Sequence, residues 1–560
     1  QYAIHIDNTA VDDTNGNSFA GISNNTSFNF TTIFITWDGS ESTDWATSAN
    51  WSSNQVPTTN SGVIIPNVTN KPIISSNTNA LTNNITIDAS SSLSISGGGS
   101  LTVSRDLTNN GNAITIGSGG SIIVNGSASG NITYNRDIPT TDWFLISSPV
   151  VDQDIDAFVS ASNLATGSGN NVGFAPFKND GTKWNYYQAG TSDSGNFEDG
   201  KGYAIKMANS GTISFTGGVP TTDIPTAISK NTNGFNLIGN PYPAFIAANN
   251  PSNSSRNILK QLATDNDFLE EATIWVWNKG TSSYDPVNHI GSRFMAPGQG
   301  FFISSKGSYN FDFTEDMQIH QSADNFQKSS NNIPEIKLVL KSGGKTTKET
   351  MIYYVDGTTT GFDNGYDSSV FSRFNSDFVL YSGLVSDSQG QKLGIQAVPN
   401  ENYENIVIPI GVIAGAGEIS FSVDAKHIPS GYHIFLEDKQ TGSFTRLLET
   451  NNTYKVTLQK ALSDVGRFYL HTKSSVLSTA DLSLDTVSIY KTSSSNLRIV
   501  GLSQGKSNVK LYNILGKQVM NRSFNSSNVN DISLPSLAKG IYIVQLETEN
   551  GMLNKKITLE

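Results

Sequence analysis

The sequence predicts an all-β chain of several domains, on three observations. Charged residues make up only 15% of the 560, below the usual quarter or so. Polarity comes instead from Asn, Ser, Thr and 50 Gly, which favour turns and strand surfaces and penalise long helices. Short apolar runs also recur along the chain between Gly-, Asn- and Ser-rich turns, as short strands do. At roughly 150 residues per domain the length allows three or four domains. The net charge of −12 repels phosphate backbones, so nucleic acid is not an expected partner. With no Cys, disulfides, thiolate metal sites and Cys nucleophiles are excluded together. No apolar run reaches about 18 residues, so no membrane-spanning helix is expected, and the chain is not read as an integral membrane protein. Gln1-Tyr2-Ala3-Ile4 lacks the basic start and apolar stretch of a signal peptide. The chain is therefore expected to begin after signal cleavage or inside a longer protein.

Residues 1–36 contain Tyr2-Ala3-Ile4-His5-Ile6, a turn cluster at 12–17, and Phe28-Asn29-Phe30-Thr31-Thr32, too few strands to bury a core alone. The pattern Ala10, Asp13, Gly16-Asn17, Phe19-Ala20-Gly21-Ile22 and Phe30-Thr31-Thr32 resembles the end of the bacterial Ig-like modules found in tandem in large surface proteins. Residues 37–135 hold a ladder of triplets, among them Ile85-Thr86-Ile87, Leu93-Ser94-Ile95, Leu101-Thr102-Val103 and Ile114-Thr115-Ile116. One apolar face per short rung, stacked on its neighbours, is solenoid logic, so a short β-helix or β-roll is expected. Trp37, Trp45 and Trp51 are expected to cap its end; a sugar-binding platform is the alternative.

Residues 136–324 are duplicated. Trp143-Phe144-Leu145-Ile146 corresponds to Phe235-Asn236-Leu237-Ile238, Gly200-Lys201-Gly202-Tyr203 to Gly298-Gln299-Gly300-Phe301, and Phe215 to Phe313. Two copies in order predict two similar β units packed as one pseudo-symmetric domain, the glycine pairs serving tight turns into buried strands. Residues 257–271 are the one expected helix, from Leu259, Leu262 and Leu269. Residues 333–473 carry many short strands between turns, which predicts a β-sandwich, with 362–367 as a loop. Ser- and Thr-rich residues 474–483 form a linker.

Residues 484–560 predict a compact antiparallel sandwich of six or seven strands. They hold nine Lys/Arg against five Asp/Glu, net +4, while the rest of the chain holds 27 against 43, net −16; such asymmetry points to a partner of the tail's own. Leu511-Tyr512-Asn513-Ile514-Leu515-Gly516-Lys517, then Leu537-Ala538-Lys539-Gly540-Ile541-Tyr542, then Lys555-Lys556-Ile557 run in the order of the type A C-terminal sorting domain of the type IX secretion system of the Bacteroidetes, which the segment resembles. The family's Tyr-Pro-Asn-Pro opening is Tyr490-Lys491-Thr492-Ser493 here, without its prolines. The resemblance implies export across the outer membrane through the type IX translocon, capture by an outer-membrane shuttle barrel, and removal of the tail by a sorting peptidase cutting in the linker. It implies a location outside the cell or on its surface, reached through the periplasm. Matching residues are Gly516, Lys517, Gly540, Tyr542, Lys555 and Lys556. The glycines and Tyr542 equally suit turns and core, whereas the lysines suit partner contact.

No catalytic set is expected. The six His are scattered without HExxH spacing. Gly501-Leu502-Ser503-Gln504-Gly505 is followed by a strand pattern, not the helix that a nucleophile elbow needs. Asp265, Asp267, Glu270 and Glu271 have calcium-like spacing without an EF-hand's Gly, and Asp363, Asn364 and Asp367 suit an Asx turn as well as calcium. No cofactor is therefore expected, with calcium as the remaining candidate. The function expected is that of an adhesin-like or structural surface protein. The alternatives are a polysaccharide-acting enzyme whose catalytic part precedes this chain, and a carbohydrate-binding array in which Trp143, Trp184, Trp275 and Trp277 form platforms.

Overall fold

The computed structural model describes the chain except residues 1, 9, 11–13, 15, 25–26, 28, 31–33, 192–193, 250–255, 322–331, 346, 372–375, 448–452, 475–486, 494, 503–504, 528, 549–550 and 560. Ser503, nearly all of the expected linker and parts of the N-terminal turn and strand segments lie outside the described residues. The chain is all-β apart from short helical turns. It divides into two compact units, Gln1–Asn331 with Asp363–Asn375, and Asn332–Phe362 with Ser376–Glu560.

The first unit opens with a two-residue antiparallel pair, Tyr2–Ala3 with Asn29–Phe30. The solenoid starts earlier than residue 37. Phe34–Thr36 pairs in parallel with Gly62–Ile65, because Ile35 joins the same buried core as the rungs above it. Three parallel sheets then run up a triangular coil. Adjacent triplets do not stack on one another, as the ladder suggested, because each occupies a different side of the coil. Stacking joins triplets about 21 residues apart: Leu93 on Ile114, Leu101 on Ile122 and Ile85 on Leu107. Both outer residues of each triplet turn inward and the middle one outward, the period of a strand.

Trp37, Trp45 and Trp51 close the first end, at 0–1% exposure. Their rings meet edge to face at 4.9 and 4.7 Å, so a sugar platform is ruled out for them. At the other end the strand Asn131–Ile138 runs through the boundary expected at 135. It pairs antiparallel with Gly211–Gly218, which caps the solenoid edge.

The two copies of the duplication share one topology. In the first, Trp143–Ile146 pairs with Tyr203–Lys206, which pairs with Phe174–Lys178 and then Lys183–Trp184; in the second, Phe235–Gly239, Gly300–Ser304, Ile274–Asn278 and Ser283–Val287 stand in the same order. The copies meet reciprocally. Ile146 bridges Gln299 and Ile238 bridges Lys201. The Ser147 N–H donates to Gly298 O and the Gly239 N–H to Gly200 O, both at 2.9 Å. Those are equivalent pairs exchanged between copies, the signature of a two-fold axis. Gly200 and Gly298 take φ of +72° and +66°, which glycine adopts without a Cβ penalty. A Cβ on Gly239 would come within 2.5 Å of the Ser147 Cβ, so close approach at the axis requires glycine.

The helix expected over 257–271 is confined to turns within 258–265. Asp267 adopts φ +53°, and Leu269 leaves to bridge Ser305. An unexpected helix, Ile155–Ala161, is capped by the Asp154 carboxylate accepting the Ala157 N–H. The loop expected at 362–367 belongs, from Asp363 on, to the first unit. There Asn364 accepts from the Ala272 N–H, the Trp275 indole donates to Ser369 O, and Asn288 donates to Tyr366 O. Phe371 enters an aromatic cluster with Phe235, Trp275, Tyr284 and Phe302.

In the second unit the strands between Glu335 and Ser474 form one hydrogen-bonded path of ten, from Ser443–Arg446 to Tyr454–Leu458. The path curls on itself. Phe421 and Phe468, far apart in strand order, pack at 4.8 Å, and Tyr454 at one end bonds Ser443 and Asp438 at the other. A single rolled sheet therefore encloses the core, where two separate sheets were expected. The C-terminal segment is a seven-stranded antiparallel sandwich. One sheet holds Ser488–Ser493, Asn496–Val500 and Val529–Ser533. The other runs Gln518–Ser526, Gly505–Asn513, Gly540–Thr548, Gly551–Leu559.

Candidate partner-binding face of the C-terminal sandwich

The strands Gly505–Asn513 and Gln518–Ser526 are joined by a tight turn. The Asn513 side chain accepts from the N–H groups of Leu515 and Lys517, and its carbonyl accepts from Gly516. This is the amide-capped turn that Asn favours. Gly516 sits at φ +75° with nothing within 4 Å, so it is a turn residue. The turn presents Ile514 and Leu515 at 74% and 86% exposure. These two lead the large apolar side chains in exposure among the described residues. Fixing them in a bonded turn makes them a preorganised display.

The face beside the turn continues the pattern. Tyr512 lies opposite Ile543, and Ile543 opposite Lys556. Ile541 and Ile543 are 41% and 44% exposed, and Lys517 and Lys556 are exposed too. The result is an apolar strip with a basic rim. Among the described residues, Lys517, Lys555 and Lys556 enter no ion pair, whereas Lys510 is held by Glu547 at 2.6 Å and Arg498 by Asp531 at 2.7 Å.

The six residues picked from sequence divide. Lys517 and Lys556 border the strip, and Gly516 shapes its tip. Lys555 lies opposite the core residue Val544, so it belongs to the other face and reaches solvent only because its strand is an edge. Gly540 opens its strand with open space around it. Tyr542 is buried and donates to Ala538 O at 2.9 Å, a core role. Ile514, Leu515, Ile541 and Ile543 were missed; two adjacent apolar residues between Asn and Gly were the available signal.

The other candidates do not converge. Asp265, Asp267 and Glu270 pair separately with Lys260, Lys306 and Lys230. Glu271 is half-buried, and the desolvation pushes its carboxyl up; it accepts from the Ser369 N–H. Asp367 is buried and accepts from the Asp363 N–H. No group of three His, Asp or Glu is placed to hold a metal among the described residues. Nor is any helix among them long and apolar enough to cross a membrane. His320 stands between Ser121 and Thr102, and His471 bonds Glu437. Trp275 is buried. Trp143, Trp184 and Trp277 are half-buried, and Trp143 meets Tyr186 at a 56° tilt, not as a coplanar pair. Ser503 lies outside the described residues, and the next described element is the strand Gly505–Asn513, where a nucleophile elbow calls for a helix.

The family described as "Secretion system C-terminal sorting domain" matches residues 489–560. That match makes the chain a type IX secretion substrate, exported to the cell surface or the extracellular space and engaging the type IX machinery. No curated protein matches the chain. A solved structure titled "Biofilm associated protein - BSP domain" aligns at 10% identity over 75% of this chain and 90% of that chain, with a TM-score of 0.12, too low to carry an argument. Residues 36–471, from the first solenoid strand to the last strand of the rolled sheet, match the family described as "Domain of unknown function (DUF8693)", and the chain belongs to that family.

Proposed function

We propose that the exported chain acts outside the cell as an adhesin-like or structural protein and not as an enzyme. One observation carries this reading: among the described residues, the carboxylates and imidazoles that the sequence offered as candidates are engaged by separate local partners and do not converge. Asp267 is held by Lys306, Glu270 by Lys230 and His320 by Ser121, whereas a hydrolase needs two facing carboxyl groups or a base beside a nucleophile. Comparing attachment of cells with and without this protein to a polysaccharide-coated surface tests it. Equal attachment and unchanged envelope integrity refute the role, and turnover of a polysaccharide by the purified chain refutes the exclusion of an enzyme.

For export we propose that the strip formed by Ile514, Leu515, Ile541 and Ile543, with Lys517 and Lys556 at its rim, is what the shuttle barrel and the sorting peptidase engage. A reporter fused to residues 474–560 should leave cells only when the translocon works. Replacing Ile514 and Leu515 by Asn should stop its export without unfolding the tail. Export that survives the double substitution refutes this assignment while leaving the sorting domain's role intact.

A further inference from the structure

The duplication supplies an internal control for finding a site. Where copy one's hairpin meets copy two's first strand, a cleft of about 250 Å³ opens, walled by Phe177, Phe235, Lys178, Asp180, Glu198 and Lys201. Its floor is rigid. Asn179 and Asn236, both at least nine-tenths buried, clamp Ser229. Asn179 donates to Ser229 O and Oγ at 2.8 and 3.0 Å, and Asn236 donates to the same carbonyl at 2.8 Å.

The exchanged positions of the other copy are different in kind. Glu198 becomes Ala296, Lys201 becomes Gln299, Asn236 becomes Phe144 and Tyr203 becomes Phe301. Both halves keep the same strand order, so the fold does not demand the polar set. A charged lining on one side only therefore needs a reason other than folding.

The chemistry of the lining indicates what would fill it. Lys178 and Lys201 bring donors, Asp180 and Glu198 bring acceptors, and the four charges cancel. Lys201 donates one N–H to Ala227 O at 2.8 Å, which leaves two of its three for a ligand. Phe177 and Phe235 supply apolar ring walls. Donors and acceptors alternating beside an aromatic wall, with no net charge, match a neutral polyol ring, whose hydroxyls both give and take hydrogen bonds while its C–H face is apolar. The volume lies below the ~300–1,000 Å³ of drug-sized sites, room for a single sugar residue such as a chain end.

We propose that this cleft is a binding site for one neutral sugar residue. The inference rests on the surface-binding role proposed above and names its ligand class. Its test uses the purified full chain with glucose, galactose and N-acetylglucosamine as probes in saturation-transfer NMR. At least one sugar should receive magnetisation from the protein. The double variant E198Q/K201M should weaken that binding at least about tenfold, 1.4 kcal/mol. Q299M, at the exchanged position of the other copy, should leave it unchanged. Should K201M disturb the Ala227 contact and lower the melting temperature, E198Q/K178M replaces it, since both of those side chains are exposed. Transfer to none of the three sugars overturns the site. So does transfer that survives the charge-removing variants, or transfer abolished by equimolar glycine, which would make the lining a zwitterion site. A sugar signal without an attachment phenotype would keep the cleft and sink the surface role, and the converse would do the reverse.

Discussion

Lowering the pH tests how the solenoid is joined to the second copy of the duplication. His320 follows the last strand of that copy and reaches two rungs at once. Its Nδ1 lies 2.7 Å from Ser121 Oγ and its Nε2 2.9 Å from Thr102 Oγ1. Burial there lowers its pKa from 6.5 to about 4, because the imidazolium would lose its hydration among neutral hydroxyls. The unfolded chain therefore takes up a proton near pH 6.5 that the folded chain refuses until about pH 4. His320's contribution to stability is complete above about pH 6.5 and declines as pH falls toward 4. At pH 5 the two values give a loss of about 2 kcal/mol relative to pH 8. His320→Gln keeps a donor and an acceptor but cannot titrate. The difference in unfolding free energy between the native chain and this variant, followed by the fluorescence of the buried solenoid tryptophans in urea, should shrink by about 2 kcal/mol between pH 8 and pH 5. Carboxylates titrating elsewhere cancel in that difference. A difference that does not change with pH refutes the linkage and means that His320 is solvated or already charged in the folded chain.

Four further outcomes follow from the local structure. Trp51→Ala should cost about 3–5 kcal/mol in the first unit, because the ring is fully buried between Trp37 and Trp45; a melting temperature unchanged by calorimetry would contradict the cap. Asp438→Asn should cost about 3–5 kcal/mol, since it strips the partner from Arg467, which binds both carboxylate oxygens, and denaturant titration reads it directly. In the tail, Gly516→Ala should cost about 1–2 kcal/mol from positive φ alone. Ile514→Asn with Leu515→Asn should shift stability by less than about 0.5 kcal/mol, and a larger thermal shift would show that these side chains serve the fold.

Much of this architecture is local and could be read from sequence; what was missed depends on distance. The triplets announced a solenoid, but their eight-residue spacing is the step from side to side within one coil, whereas stacking acts over about 21 residues. Asp154, Ile155, Phe158 and Val159 carried a readable helix signal, a cap followed by apolar residues at helical spacing. The helix expected at 257–271 forms only over 258–265, because Leu269 is buried by a bridge to Ser305, which periodicity cannot distinguish from a helix face. That Asp363–Asn375 packs with the first unit was out of reach, since its partners Ala272, Trp275 and Asn288 lie 78 to 94 residues away and nothing local encodes the pairing. At the tail, the motif residues were legible as a family block. Their division into turn, core and rim needed the strand register, which puts the neighbours Lys555 and Lys556 on opposite faces.

The duplication shows how one ancestral layout takes on two duties. Reciprocal bonds across the axis, from Ser147 to Gly298 and from Gly239 to Gly200, constrain both copies equally, and glycine is retained at both positive-φ sites. Away from the axis the constraint relaxes. Copy two fills its hairpin side with Trp275 and Phe302, where copy one has Ala175 and Ala204, and Phe371 packs onto that aromatic surface. Copy one keeps small residues there and turns a polar cleft toward solvent. Covering one half with a strap stabilises the pair through aromatic burial, worth about 1.5–3 kcal/mol for a ring such as Phe371. Copy one's hairpin still packs Phe177 and Trp184 on Phe302, but the strap leaves its other side to solvent, and a lining such as Glu198 and Lys201 becomes tolerable there. Phe371→Ala should therefore destabilise the first unit, and because Phe371 also packs on the cleft wall Phe235 at 4.8 Å, it should weaken sugar binding as well. If the variant kept the melting temperature of the native chain in calorimetry, the strap would not serve as core and this division of labour would be wrong.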